Sequence, residues 1–379
     1  KSCRYGTYLT SKLLPIASSK VLWEENMMKT LALGVSLLAL ATSTASAGGI
    51  DRSGQWITPI FDKGNVVQFS IGSVDPDVTG SLGTTDSATR YNPVSFSIKQ
   101  AITDKVDVAV IVDQPFGANI EYTAGAFAAT PIGPYPGGFA DVTSKAMTFV
   151  GRYKYNDNFS VHAGARAQSL TGTIASADGI LNASSDYAWG ALVGAAYERP
   201  DIAMRVALTY NSAIKNKLSG MHNFATPVSG SHKSPESLNL EFQTGIATDT
   251  LLFGSVRHAK WGGRSLETTP VGGGTTINWV NFRDDSTSYT LGVGRKINDK
   301  LSLAVTLGYE GAGTRPGNTP LAPTNGYKSI GLGASYNVTD SLKVSGGLQY
   351  VKLGDQSVGP VSFTDNEAIG FGIKLAYSF

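Results

Sequence analysis

Six short polar turns punctuate this chain at intervals of 41 to 53 residues. They are Thr103-Asp104-Lys105, Asn156-Asp157-Asn158, Arg199-Pro200-Asp201, Thr248-Asp249-Thr250, Asn298-Asp299-Lys300 and Val338-Thr339-Asp340-Ser341. Each interval holds one alternating segment, a long stretch rich in Gly, Pro, Ser and Thr, and a second alternating segment. A period of that length invites a propeller, but this internal order of strand, long loop, strand does not build blades. A soluble sandwich alternates too, yet its turns recur about every 8–12 residues. Short turns at one end and long loops at the other are the pattern of a membrane barrel.

The alternation is strict where it can be checked. Phe159, Val161, Ala163 and Ala165 interleave with Ser160, His162, Gly164 and Arg166. Ile202, Met204, Val206, Leu208 and Tyr210 form one face of the segment after Asp201, and Leu301, Leu303, Val305, Leu307 and Tyr309 one face of the segment after Lys300. Six turns flank twelve strands, and a first strand near 66–73 and a last near 367–379 make fourteen. An even count suits closure, and closure is needed because an open edge in lipid leaves backbone groups unpaired. Long loops are expected at 74–90, 114–142, 171–185, 211–235, 262–285, 311–326 and 353–366. Ile369, Phe371, Ile373, Leu375, Tyr377 and Phe379 place an apolar face on every second position. Tyr377 and Phe379 are therefore expected to form the signal read by the barrel assembly machinery. Tyr153, Tyr155, Tyr197, Tyr210, Tyr309, Tyr336 and Tyr350 fall near strand ends, where aromatic girdles sit.

Near the N-terminus Lys29, an apolar run from 31 to 41 and Ala45-Ser46-Ala47 make an export signal cleaved after Ala47, spanning residues 27–47. The run is too short for a transmembrane helix. Residues 1–26 fit nothing downstream and are read as translated upstream sequence. The 332 residues after Ala47 hold 26 basic and 27 acidic side chains, so no charge excess argues for nucleic acid. Cys3, the one cysteine of the sequence, precedes the cleavage point, which excludes disulfides and thiolate metal sites thereafter. No two of His162, His222, His232 and His258 have metal spacing, so no metal or cofactor is expected. His232 and Ser234 lie close in sequence without a hydrolase motif, and no enzyme is expected.

The chain resembles the FadL family of outer-membrane transporters for long-chain fatty acids and aromatic hydrocarbons. The resemblance rests on Val74-Asp75-Pro76-Asp77-Val78 after the first strand, Asp113-Gln114-Pro115-Phe116-Gly117 in the third, Ala165-Arg166-Ala167 in the fifth, and the terminal Phe379. It implies an all-β transmembrane barrel at 66–379 in the outer membrane of a Gram-negative bacterium, with a plug at 48–65 inside it. It further implies a lumenal pocket for hydrophobic molecules and release sideways into outer-membrane lipid through a kinked third strand. The 18 residues from 48 to 65 are fewer than the family's plug and lack its Asn-Pro-Ala motif.

Proline in a sheet is confined to edges, ends and bulges, and a closed barrel has no edge. Asp113, Gln114, Pro115 and Gly117 therefore mark either a wall opening or the simple end of a strand. Arg152 and Arg166 face inward and are candidates either to hold a carboxylate or to brace the barrel in internal ion pairs. Trp56, Ile60, Phe61 and Phe116 are candidates to line an apolar pocket or to pack the plug against the wall. The alternative function is a general diffusion porin or a purely structural barrel.

Overall fold

A computed structural model describes residues 50–127, 129, 131–314 and 321–379; the export signal and residues 1–26 lie outside them. The strands, in chain order, are β1 (Val66–Asp77), β2 (Val94–Ala101), β3 (Val106–Asp113), β4 (Gly117–Glu121), β5 (Phe139–Lys154), β6 (Phe159–Ser176), β7 (Gly179–Ser185) and β8 (Ala188–Arg199). There follow β9 (Met204–Asn211), β10 (Lys215–His222), β11 (Thr226–Lys233), β12 (Ser237–Ala247), β13 (Thr250–Ala259), β14 (Arg264–Pro270) and β15 (Ile277–Phe282). The last are β16 (Ser286–Lys296), β17 (Leu301–Glu310), β18 (Tyr327–Asn337), β19 (Leu342–Leu353), β20 (Gln356–Val358), β21 (Val361–Phe363) and β22 (Glu367–Ser378).

Fourteen of these, counting β3 and β4 as one interrupted strand, form a closed antiparallel wall. Closure joins the first strand to the last, from Val66↔Ser378 to Asp77↔Glu367. Four of the six short turns form for one shared reason. A side-chain oxygen of Asn or Thr accepts the backbone N–H groups two and three residues on, which folds the chain back without a sheet partner. Asn156 Oδ1 takes Asn158 at 2.9 Å and Phe159 at 2.8 Å, and Asn298 Oδ1 takes Lys300 and Leu301 at 2.9 Å each. Thr103 and Thr339 do the same with their hydroxyls.

The lipid-facing side follows the alternation. From Ile369 to Tyr377 every second residue of β22 is exposed, and so is Phe379. In water such a face would drive aggregation, whereas in a bilayer it is the solvated one. Tyr153, Tyr155, Tyr336 and Tyr377 lie at the short-turn ends, and Tyr210, Tyr309 and Tyr350 at the long-loop ends, giving two aromatic belts. At the long-loop belt Tyr210 and Tyr350 donate to Glu236 and Glu367 at 3.0 and 2.7 Å.

Three of the expected long loops are sheet instead. β6 runs on to Ser176 and pairs with β7, and pairing continues through β7–β10, β10–β11, β11–β14 and β14–β15. The Ser/Thr/Gly-rich stretches at 171–185, 211–235 and 262–285 thus form a raised rim. Composition misleads here because the outward residues of these strands are mostly polar, while the inward ones that betray a strand, such as Leu181, Leu218 and Val228, are few and scattered, and the register is inherited from the wall strand below. The loop at 353–366 contains the small β20–β21 hairpin.

Candidate ligand cavities and wall opening

The third strand breaks where the proline predicts. β2 and β3 pair from Ala101↔Asp107 to Phe96↔Val112. Contact between the two chain segments resumes only at Ala88↔Ile120, with Thr89 donating to Asn119 at 3.2 Å and Glu121 to Ser87 at 3.0 Å. Among the described residues no ladder bond joins 113–118 to 90–95. The other edge stays attached. β3 reaches Asp113↔Ala146 and β4 starts at Gly117↔Thr143, so four steps on one strand face three on β5. That is a one-residue bulge. Ser144 heals it by bonding both backbone groups of Phe116 with its hydroxyl at 2.8 Å.

The N-terminal segment seals the break from inside. Arg52 N–H donates to Pro115 O at 2.7 Å, and Gly117 N–H donates to Ile50 O at 2.9 Å. Residues 50–52 therefore stand in for the missing strand partner. They are anchored by Asp51, which accepts from Arg257 Nη2 at 2.7 Å and from Trp261 Nε1 at 2.8 Å. Ser53 donates to Asp113. A left-handed turn follows at Gly54 and Gln55, with φ of 70° and 57°. A Cβ on Gly54 would sit 2.4 Å from the Trp56 indole nitrogen, so glycine is required for this turn to bring Trp56 back over itself. Asn239 and Arg166 hold the turn by donating to Gly54 O at 2.9 Å and Gln55 O at 3.2 Å.

Two cavities flank this seal. The first, of about 140 Å³, lies toward the rim and is lined mainly by apolar side chains such as Val74, Ile120, Val142, Leu170, Leu266 and Phe282. The second, of about 120 Å³, lies at the break and is lined by Trp56, Pro93, Ser95, Phe96, Gln114 and Lys374 among others. Ile71, Val94 and Phe96, which line it, are also exposed on the lipid face, so this cavity crosses the wall. Arg52 and Tyr91 line both cavities, with the guanidinium 4.2 Å from the centre of the Tyr91 ring and bonded to Asn119. This cation–π pair is the partition between them.

The residues singled out from sequence divide sharply. Asp113, Gln114, Pro115 and Gly117 all lie at the break, and Trp56 lines the second cavity. Phe116 is buried against Trp261 in a cluster with Ala259 and Phe282, at a ring separation of 5.3 Å. Ile60 and Phe61 pack on Ala109, Ile111, Val150 and Leu192 below the cavities. Arg152 lies over the Phe61 ring and is tied to Glu198, Ser160 and Asp107, and Arg166 to Thr148, Asn211 and the Gln55 carbonyl. Neither arginine lines either of these two cavities. Asp51, Arg52, Tyr91, Arg257, Trp261 and Lys374 escaped the sequence reading. Arg257 and Lys374 were within its reach, since both fall on the inward phase of their strands. His232 and Ser234 do not bond each other: the imidazole meets Ser265 O at 3.1 Å and the hydroxyl meets Ile214 O at 3.3 Å. His232 is in the rim, beyond the aromatic belt, and burial pushes its pKa down to about 4.

The family model described as outer membrane protein transport protein (OMPP1/FadL/TodX) matches residues 79–379. The chain belongs to this family. Its members are transporters and channels rather than enzymes, and it is a family of outer-membrane barrels. Among solved structures, the chain is similar to a Pseudomonas aeruginosa FadL homologue at 13% identity and a TM-score of 0.68, covering 90% of this chain and 99% of that one. The P. putida toluene transporter TodX gives 12% identity, a TM-score of 0.62, and coverage of 84% and 91%. The CymD monoaromatic hydrocarbon channel gives 14%, 0.58, and coverage of 90% and 96%. At these identities the likeness concerns the fold. No curated protein matches the sequence.

Proposed function

We propose that this FadL-family barrel takes a small hydrophobic molecule into the rim cavity, passes it across the Arg52–Tyr91 partition, and releases it sideways into the outer membrane. The observation that supports this most is the second cavity, lined at once by inward Ser97 and Lys374 and by lipid-facing Val94 and Phe96. The straight route is crowded. Ile57, Ile60 and Phe61 of the plug pack on the wall, Arg152 and Arg205 flank the Phe61 ring at 4.9 and 4.6 Å, and Thr58 bonds Glu241 at 2.5 Å. An apolar solute would have to cross this charged layer without a partner, at several kcal/mol of lost hydrogen bonding.

Size favours a small solute. The rim cavity, at about 140 Å³, is close to the ~150 Å³ that holds benzene in an apolar protein interior. A long-chain fatty acid would need both cavities joined. The ligands for which TodX and CymD are named, toluene and monoaromatic hydrocarbons, fit the smaller volume. In this reading Arg166 acts by holding the Gln55 carbonyl and Arg152 by holding Glu198, not as ligand contacts. Export by a leader cleaved after Ala47, and reading of Phe379 by the assembly machinery, belong to the same proposal.

The test joins the lips of the opening. Cysteines at Ser95 and Gln114, on opposite sides of it, would be linked by a bifunctional thiol reagent; the residues after Ala47 contain no native cysteine. Toluene or fatty-acid uptake is compared before and after cleaving the link. Uptake should fall when linked and recover when released. Equal rates would discard the sideways exit in favour of passage through the lumen.

A further inference from the structure

The charges below the two cavities do not balance. Asp107 holds Lys99 at 2.7 Å, Lys154 at 2.9 Å and Arg152 at 3.9 Å, and Glu198 also holds Arg152. Glu241 stands near Arg205. Asp62 is left to oppose both Lys343 and Lys374, while it accepts from Gln68 at 2.5 Å. Six cations therefore face four carboxylates. Lys343 and Lys374 point inward from adjacent strands, two residues apart in register and so on the same face, and repel each other. Lys374 is only 5% exposed, and among the described residues no carboxylate oxygen comes within 4.0 Å of its ammonium nitrogen. A buried ammonium with no carboxylate in direct contact is costly, and this one lines the second cavity.

Its surroundings suit an anion. Ser70 and Ser345 are its cross-strand neighbours; Ser70 and Ser95 share the cavity and bond each other at 2.6 Å, which leaves one hydroxyl hydrogen of the pair to donate. Asp113 also lines the cavity, but its carboxylate takes the Ser53 hydroxyl and lies in the field of Arg166 and Arg257. From Lys374 the cavity leads past Val94 and Phe96 to the lipid face.

We propose that Lys374 anchors an anion site inside the wall opening, which takes the charged head of an amphiphile, a carboxylate or phosphate ester, with its chain running out over Val94 and Phe96 into the bilayer. The inference rests on the sideways opening. It adds that an amphiphile in this passage is held head inward and leaves tail first. Neutral hydrocarbons would pass the same point without the hold.

The experiment measures equilibrium binding of dodecanoate and dodecanol to the barrel in nanodiscs of zwitterionic lipid. Wild type should prefer dodecanoate by about tenfold or more, the worth of one charge-assisted hydrogen bond, and the preference should shrink with added salt. Lys374→Met keeps the length and apolar stem and should erase the preference without changing dodecanol binding; Lys374→Arg should retain it. Heat-dependent mobility in SDS confirms that each variant is a closed barrel. Adding phosphatidylglycerol to the nanodisc separates the two sources. If it displaces dodecanoate from wild type but not from Lys374→Met, the site also takes lipid phosphate; if not, it takes the free carboxylate. Equal dodecanoate binding by wild type and Lys374→Met would overturn the proposal. Because binding is read without transport, a barrel linked at 95 and 114 that still transports would reject the exit route and leave the Lys374 result to stand or fall alone.

Discussion

Asp51→Ala should loosen the seal of the wall opening while leaving the wall intact. Asp51 is 5% exposed and its two oxygens meet Arg257 and Trp261 at 2.7 and 2.8 Å. Breaking a buried pair by removing one partner costs about 3–5 kcal/mol. Arg257 keeps bonds to Ser237, Asn239 and Gln55, so the lower end, about 3 kcal/mol, is the apt figure. At about 1.4 kcal/mol per tenfold, the sealed state loses roughly a hundredfold against a released one. No bond of the β1–β22 closure involves Asp51, so heat-dependent mobility should not change. The assay is hydrogen exchange at the Arg52 and Gly117 amides, which bond across the seal, together with single-channel conductance. Both amides should exchange faster and brief openings should appear. Asp51→Asn, which can still accept from Trp261, should fall between. Unchanged exchange at both amides would refute the claim that Asp51 pins the segment.

Deleting Phe379 should lower the amount of assembled barrel in the outer membrane but not the amount exported, checked by membrane fractionation; normal assembly would remove its role as a signal. Arg152→Met should destabilise the barrel by about 3 kcal/mol, because Glu198 and Asp107 lose a buried partner, with toluene uptake unchanged at a temperature where the variant is folded. Lost uptake in a folded variant would return Arg152 to the ligand path. The His232 pKa is held near 4 by burial first, with Arg264 adding to the effect, against 6.5 for the free side chain. A depressed histidine disfavours the fold as pH drops below the free value, since the unfolded chain binds the proton first. Solute binding in the rim cavity should stay flat from about pH 8 to about pH 5 and weaken only near 4. A loss of binding centred near 6.5 would show that the imidazole is solvated. Arg52→Ala should speed toluene uptake by removing half of the partition, measured as initial rate; slower uptake in a folded barrel would make Arg52 a guide rather than a barrier.

The wall was legible because lipid imposes a simple code. Leu303, Val305 and Leu307 face hydrocarbon and their neighbours do not, so period-two alternation survives in the sequence. The break was legible through Pro115 alone, since a proline cannot donate to the ladder. What seals it was not. Residues 50–52 look like any polar loop, and their pairing with Pro115 and Gly117 spans more than sixty positions. Arg152 and Arg166 were placed on the correct face, yet alternation gives direction and not partner. It cannot tell an arginine that meets Glu198 from one that meets a ligand. The charge surplus at Lys374 is a sum over strands far apart in sequence, visible only once they are neighbours.

The raised rim also sets where this protein can be rebuilt. β6 is 18 residues long, about 60 Å at a strand's usual rise, or roughly 40 Å upright at a tilt near 45°, against an apolar band of about 25 Å. Some 15 Å therefore stand clear of the membrane as register-locked sheet. Inserting a residue inside β7, β10, β11 or β14 would turn one strand inside out relative to its neighbours. The tips at 177–178, 223–225 and 271–276 escape that penalty. A displayed peptide or affinity tag placed there would project from a stiff collar without touching either cavity.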